Sequence, residues 1–216
     1  MEKTDLSCAD CAVINCRKGD KRYPDFCVTT HMDPDLKEEA LALCREEENN
    51  RIMRTAAQVE YEGYRQWCRV REIMEFAKRL GYRKIGIATC VGLIREARIF
   101  AGLLRKNGFE VFGIACKAGA VPKVDVGIAP ECAQIGPNTC NPILQAKMLN
   151  QEKTDLNVVI GLCVGHDSLF YKYSEAPATT LITKDRVTGH NPAAALYTAD
   201  SYYKDLQAVI PKEENH

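Results

Sequence analysis

Three short apolar runs, KIGIATC at 84–90, VFGIAC at 111–116 and VVIGLC at 158–163, each end on a cysteine. Between and around them the pattern changes from strand to helix and back. RKIGIATC, FEVFGIAC, LNVVIGLC and ATTLITKD read as strands. LIREARIFAGLLRKNG reads as a helix ending on Gly108. NPILQAKMLNQ reads as a helix capped by Asn141 with Pro142 at its first position. A short helix is expected around 167–173, and NPAAALYT repeats the helix start with Asn191 and Pro192. The stretch 117–139, rich in Gly and Pro, reads as loop. Short apolar strands alternating with helices imply an α/β fold, a parallel sheet with helices on both faces.

Two helices are expected before the first strand. Asp33 and Pro34 open one within HMDPDLKEEALALC, and the charged stretch REEENN interrupts it. A longer one covers roughly 51–80, with Trp67, Val70, Met74 and Ala77 on one face and Gly81 closing it. Cys44 and Cys68 fall within these helical runs and read as small core residues. The composition boundary divides a cysteine-rich segment, 1–32, from an α/β domain, 33–216, that includes the N-terminal helices 34–80.

A chain of 216 residues can bury a sizeable core. Its 29 basic and 29 acidic residues cancel, so the basic excess of a nucleic-acid binder is missing. No apolar run reaches membrane-spanning length, and MEKTDLSCAD carries no apolar signal segment. The expected location is cytoplasmic, with neither membrane nor nucleic acid as a partner. Eleven cysteines are then the outlying number. In a reducing compartment, clustered cysteines argue for metal ligation or thiol chemistry rather than disulfides.

In an open α/β sheet, ligands bind beyond the carboxyl ends of the strands, and right-handed crossovers put those ends on one side. Cys90, Cys116 and Cys163 are thereby expected on one rim. Cys140 joins them from a helix N-terminus, where the dipole favours thiolate. Cys132 lies eight residues earlier in the same loop. This set could hold zinc or an iron–sulfur cluster. His166 and His190 follow strands and are candidate proton donors or ligands, with Cys163 as a third candidate for reactivity. Lys117, Asp167, Lys184, Asp185 and Arg186 occupy rim positions and read singly as solvated loop charges.

The N-terminus carries a second pattern. Cys8, Cys11, Cys16 and Cys27 are spaced C-x2-C-x4-C-x10-C. Four thiolates so spaced satisfy a tetrahedral zinc site or one iron–sulfur cube. A segment this polar cannot fold by burial alone, so metal would also supply folding energy.

Together with the N-terminal cysteines, the stretches GYRKIGIATCVGL, GFEVFGIACKAG, CNPILQAKMLN, GLCVGHDSLFYKYS and TLITKDRVTGHNP carry a resemblance. The chain resembles the cysteine-rich family catalogued as domain of unknown function 1847, described as metal-binding proteins of anaerobic bacteria and archaea. The resemblance implies metal binding at the cysteines and no particular reaction.

No G-x-G-x-x-G follows the first strand, and neither a Walker loop nor a G-x-S-x-G elbow is present. The leading expectation is a redox or sulfur-handling metalloprotein, its partners a metal ion or cluster and a redox protein or small molecule. The alternatives are a non-catalytic zinc-binding module and a thiol-based sensor without stable metal.

Overall fold

The computed structural model describes residues 6–210; residues 1–5 and 211–216, the outer ends of the two expected segments, lie outside it. The chain divides into two compact units, one running to Gln58 and one beginning at Val59. The division expected at 32/33 falls inside the first unit.

The first unit holds a single 3-10 turn at Cys8–Asp10, helices α1 (Asn15–Lys18), α2 (Val28–His31) and α3 (Pro34–Arg45), and most of α4 (Glu47–Gly63). Asp33 caps α3 by accepting from the Asp35 N–H, with Pro34 at the first position. Glu46 leaves the helix in extended conformation and separates α3 from α4. Among the described residues, the buried apolar side chains begin only at Val59. The first unit therefore has exposed leucines and methionines but no apolar core of its own.

The second unit continues with α5 (Arg69–Arg79), β1 (Lys84–Thr89), α6 (Ile94–Lys106), β2 (Glu110–Ala115), α7 (Pro142–Gln151), β3 (Leu156–Ile160), α8 (His166–Tyr173), β4 (Ala178–Ile182) and α9 (Ala193–Tyr197). The sheet order is β2-β1-β3-β4, and every pairing is parallel. Alternation along the strands sends side chains to two cores. Ile85, Ile87, Leu156, Val158 and Ile160 pack with Ile73 and Ala77 of α5 and Phe100 and Leu104 of α6. Ala88, Ile114 and Val159 pack with Ala146 and Leu149 of α7 and Phe170 of α8. Helices thus cover both faces of a parallel sheet, the α/β architecture that the strand–helix alternation implies.

Four local expectations need correction. The helix expected over 51–80 is two helices, broken after Gly63. The Arg65 backbone is left-handed, at φ 58°. Trp67 folds back so closely on Gly63 that a Cβ there would lie 2.6 Å from the indole. Cys68 precedes α5 in extended conformation and is exposed rather than buried in the core. The third strand stops at Ile160, because Gly161 turns the backbone left-handed at φ 68°. Finally, Pro192, not Asn191, stands at the cap position of α9.

Gly161 decides where the chain goes after β3. A Cβ on it would lie 1.9 Å from Leu93 Cδ1. Leu93 is itself buried, 3% exposed, so it has nowhere to retreat. Gly161→Ala combines overpacking with an unfavourable φ, and should lower stability by roughly 2–4 kcal/mol. Urea denaturation of the variant against the parent checks this. A loss below about 0.5 kcal/mol, within the range of ordinary surface substitutions, would show that the turn is not constrained as described.

Candidate functional site

Register sets the site. Thr89 pairs with Ala115 on one side and with Ile160 on the other. The ladders run one residue further: the Cys90 N–H donates to Ile160 O at 3.1 Å, and the Cys116 N–H donates to Thr89 O at 2.8 Å. Cys90 and Cys116 therefore leave neighbouring strands side by side. The crossover from β2 to β3 passes to the far side of β1, making β1/β3 the switch point where open α/β sheets bind ligands.

Cys140 arrives by a separate constraint. The Asn141 N–H donates to Cys116 O at 2.7 Å, and the Asn141 side chain caps α7 by accepting from the Leu144 N–H. This anchors the start of α7 against the end of β2. The sulfurs of Cys140 and Cys116 lie 3.5 Å apart. The Cys116 thiol also interacts with the Cys90 thiol. Cys116 is thus the middle member of the set, the one that interacts with both other thiols, and the three are called a row below.

Gln145 holds this row from beneath, and the sequence reading passed over it. It is fully buried, one turn into α7, and its Nε2 donates to Thr89 O at 3.1 Å and Ile114 O at 2.8 Å. Those carbonyls immediately precede Cys90 and lie two residues before Cys116. Gln145 Oε1 is buried without a partner among the described residues. The only signal in the sequence was a polar residue on the apolar side of a helix.

Cys163 stands apart from the row. Three residues past β3, its carbonyl accepts from the N–H groups of His166 and Asp167, which starts α8. Its sulfur accepts from Arg186 Nη2 at 3.3 Å. His166 acts electrostatically on Cys140. His190 lies in a turn with left-handed φ of 68°, its Nδ1 accepting from the Asp185 N–H at 3.1 Å. Cys132 is exposed on a 3-10 segment, Pro130–Ile135.

The row is charged unevenly. Its contact with Cys116 is the largest cause that holds Cys90 down to about 5; the Gly92 N–H and Lys184 assist against burial. The same middle thiol is the main cause that brings Cys140 to about 6, with Lys117 and His166 assisting. Cys116, between Cys140 and Cys90 and buried, is pushed far up and keeps its proton. At neutral pH the row is thiolate–thiol–thiolate, bordered by basic side chains. Lys117 Nζ is tied to Asn138 O. Lys184 Nζ would lie 3.2 Å from a Cβ built on Gly92, and Cys90 Sγ 3.8 Å from it. A glycine there gives the ammonium access to the thiolate.

In the first unit Cys8, Cys11, Cys16 and Cys27 all line one small pocket of about 70 Å³, walled also by Tyr23 and Phe26. The Cys27 thiol is held below its usual value, chiefly by a hydrogen bond with Thr29. Among the described residues, no three His, Cys, Asp or Glu side chains already converge on one point at ligand distance, here or at the strand edge.

The model of the family described as protein of unknown function (DUF1847) matches residues 27–181. That range takes in Cys27 and the strand-edge cysteines, and leaves out Cys8, Cys11, Cys16, Lys184, Arg186 and His190. An uncharacterized protein of Methanocaldococcus jannaschii, MJ0455, is 44% identical over 169 residues, covering 78% of this chain and 86% of that one. Two crystal structures of Dph2 from Pyrococcus horikoshii, one of them with a 4Fe-4S cluster, align at 18% identity with TM-scores of 0.36 and 0.37. The alignments cover 64% and 65% of this chain, which spans 32% of each Dph2 chain. A likeness at this level assigns no chemistry here.

Two thiolates at neutral pH have a measurable signature. Both thiols lie below the ordinary value of 9.0, so the stability the charged forms contribute is complete above that value. It is lost as pH falls through about 6 and then about 5. In metal-free, reduced protein the ultraviolet thiolate absorbance should show a corresponding step. The C90S/C140S double variant should lack it. A difference spectrum with no step between pH 7 and pH 4 would remove the thiolate–thiol–thiolate assignment.

Proposed function

Because the chain belongs to the DUF1847 family, whose description names no function, we propose from side-chain geometry that it binds a soft metal centre at the sheet edge. Cys90, Cys116 and Cys140 are its ligands. The observation that carries this reading is the sulfur row itself, above all the 3.5 Å between Cys116 and Cys140. Thiolates at about 2.3 Å from one tetrahedral ion sit about 3.8 Å from each other. The pair therefore fits as neighbours on one ion, and Cys90, whose thiol interacts with Cys116, is the third ligand of the proposal. Gln145 is the positioning residue that fixes both strand ends, as groups behind metal ligands commonly do.

The N-terminal pocket is the second site, with Cys8, Cys11, Cys16 and Cys27 as ligands. Its support is the common pocket together with the missing apolar core: a unit that buries no leucine needs another source of folding energy, and metal ligation is one. We assign the N-terminal centre a structural or electron-relaying role and the strand-edge centre a redox or sulfur-handling one. His166, which acts electrostatically on Cys140, is the candidate proton donor there.

A second reading is favoured by the same short distance. Cys116 and Cys140 need to approach by only about 1.5 Å to reach disulfide length, so the row could act as a thiol couple without stable metal. Anaerobic purification followed by metal analysis and a visible spectrum separates these. Metal should be present, and C116S and C140S should each reduce it while the N-terminal share remains. A brown protein identifies iron–sulfur, and a colourless zinc protein identifies the non-catalytic module. Metal-free protein with titratable strand-edge thiols would overturn the metal reading in favour of the thiol couple.

Chelation gives an independent test of the N-terminal site. Strong chelator should make residues before about 30 protease-sensitive before the α/β unit is affected. Unchanged protection of that segment in the fully stripped protein would exclude metal as the source of its stability.

A further inference from the structure

The sulfurs of Cys116 and Cys140, 3.5 Å apart, belong to thiols of unequal access. Cys116 is 3% exposed and Cys90 7%, whereas Cys140 is half-buried. An outside molecule therefore reaches Cys140 and not Cys116, while Cys140 keeps a buried sulfur in contact.

The chain fixes this pair from both sides of Cys140. The Thr139 N–H donates to Val121 O at 2.8 Å, and the Asn141 N–H to Cys116 O at 2.7 Å. The second bond ties the backbone that carries one sulfur to the backbone that carries the other. Lys117, next to Cys116, is tied to Asn138 O across the same join. The sulfurs need to approach by only about 1.5 Å to reach disulfide length. The other accessible thiols of this unit are placed differently. Cys163 gives its sulfur contact to Arg186, and Cys68 and Cys132 are exposed with no sulfur in hydrogen-bond contact among the described residues.

A fixed pair of unequal access suits thiol–disulfide exchange, in which one thiolate opens a disulfide and a second thiol resolves the mixed species. We propose that Cys140 and Cys116 reduce low-molecular-weight disulfides, Cys140 attacking and Cys116 resolving. In the first step Cys140 Sγ, as thiolate, bonds to one sulfur of R–S–S–R, the S–S bond breaks, and R–S⁻ leaves with the electron pair. In the second, Cys116 Sγ attacks Cys140 Sγ from the protein side, the bond from Cys140 to the substrate sulfur breaks, and the other R–S⁻ leaves. The protons of the two cysteines end on the two leaving thiolates. The protein pair is oxidised by two electrons and the substrate is reduced to two R–SH. An outside dithiol restores the pair by the same exchange in reverse. The half-burial of Cys140 selects a small, unhindered disulfide over one held on a protein surface. The proposal rests on the sulfur pair from which both readings above start, and no step needs a metal.

The test uses full-length protein, reduced and stripped of metal by chelation under anaerobic conditions. It is treated with bis(2-hydroxyethyl) disulfide, an uncharged probe, quenched in acid and mapped by mass spectrometry. The parent should give a Cys116–Cys140 linked peptide, with both thiol halves of the probe released per link. The mixed disulfide on Cys140 should be about ten-fold or more scarcer than the link, because the resolving thiol is already in place. C116S should stop at that mixed disulfide. C140S should leave Cys116 unmodified over the time in which Cys140 of C116S reacts fully. C90S should still form the link. Circular dichroism confirms the fold of each variant, with C116A as the apolar alternative at the buried position.

A lasting mixed disulfide on Cys140 in the parent would overturn the proposal. So would a Cys90–Cys116 link as the main product, or Cys116 modified in C140S as fast as Cys140 in C116S. Any of these, beside metal that the protein holds as purified and loses in C116S and C140S, leaves the metal reading standing. A Cys116–Cys140 link in protein that purifies anaerobically without metal at the row upholds the proposal and removes the metal reading.

Discussion

The site depends on the register of one strand. β1 is paired on both sides, and Thr89 stands level with Ala115 and with Ile160. Parallel strands lie about 4.8 Å apart, so the residues that follow level positions are near neighbours without further arrangement. Cys90 and Cys116 inherit that proximity. The Asn141 N–H to Cys116 O bond then draws Cys140 against Cys116, and Gln145 ties the two strand ends together from inside. A one-residue slip of β2 against β1 would turn its inward face outward and move Cys116 out of the row. The apolar alternation that fills both cores is therefore also what aligns the thiols.

Much of this was legible in the chain before any coordinates. Strand endings at Cys90 and Cys116 followed from β-branched runs, and the placement of Cys140 from an Asn-Pro helix start. What stayed hidden depended on tertiary contacts. Gly161 looks like one more small residue within an apolar run; only Leu93 packed against it shows that the backbone must turn left-handed there and carry Cys163 away. The break after Gly63 was masked because Trp67, though it precedes α5, keeps helical spacing with Val70 and Met74 inside it, while Arg65 adopts a conformation no periodicity reports. Gln145 makes sense only once two strand-end carbonyls are seen to need a donor.

The first unit presents the opposite case, with a pattern strong in sequence and weak in packing. Ordering a residue costs roughly 1–2 kcal/mol of backbone entropy, and among the described residues no buried apolar side chain before Val59 offsets it. Leu36, Leu41 and Leu43 of α3 remain largely exposed. Short helices α1 and α2 cannot supply the difference, since isolated helices of that length are marginal even in favourable sequences. The four-cysteine pocket is the feature of the unit best able to do so.

At the strand edge, burial alone does not separate a ligand set from ordinary packing. Cys90 and Cys116 belong to the same cluster as Ala88, Ile114, Leu149 and Phe170, and Cys140 packs against it. Neutral thiols would be content there as small apolar groups. Three features go beyond that. The sulfurs of Cys116 and Cys140 touch each other as well as hydrocarbon; basic side chains approach the thiols where an apolar cluster would gain nothing; and Cys90 and Cys140 are held low while Cys116, which interacts with both, is pushed up. Its two sulfur neighbours, with burial, push the Cys116 thiol up. A metal ion placed at the row compensates all three sulfurs at once, and its binding releases the Cys116 proton. The sulfur contacts that keep Cys116 protonated are the ones that a cation can replace.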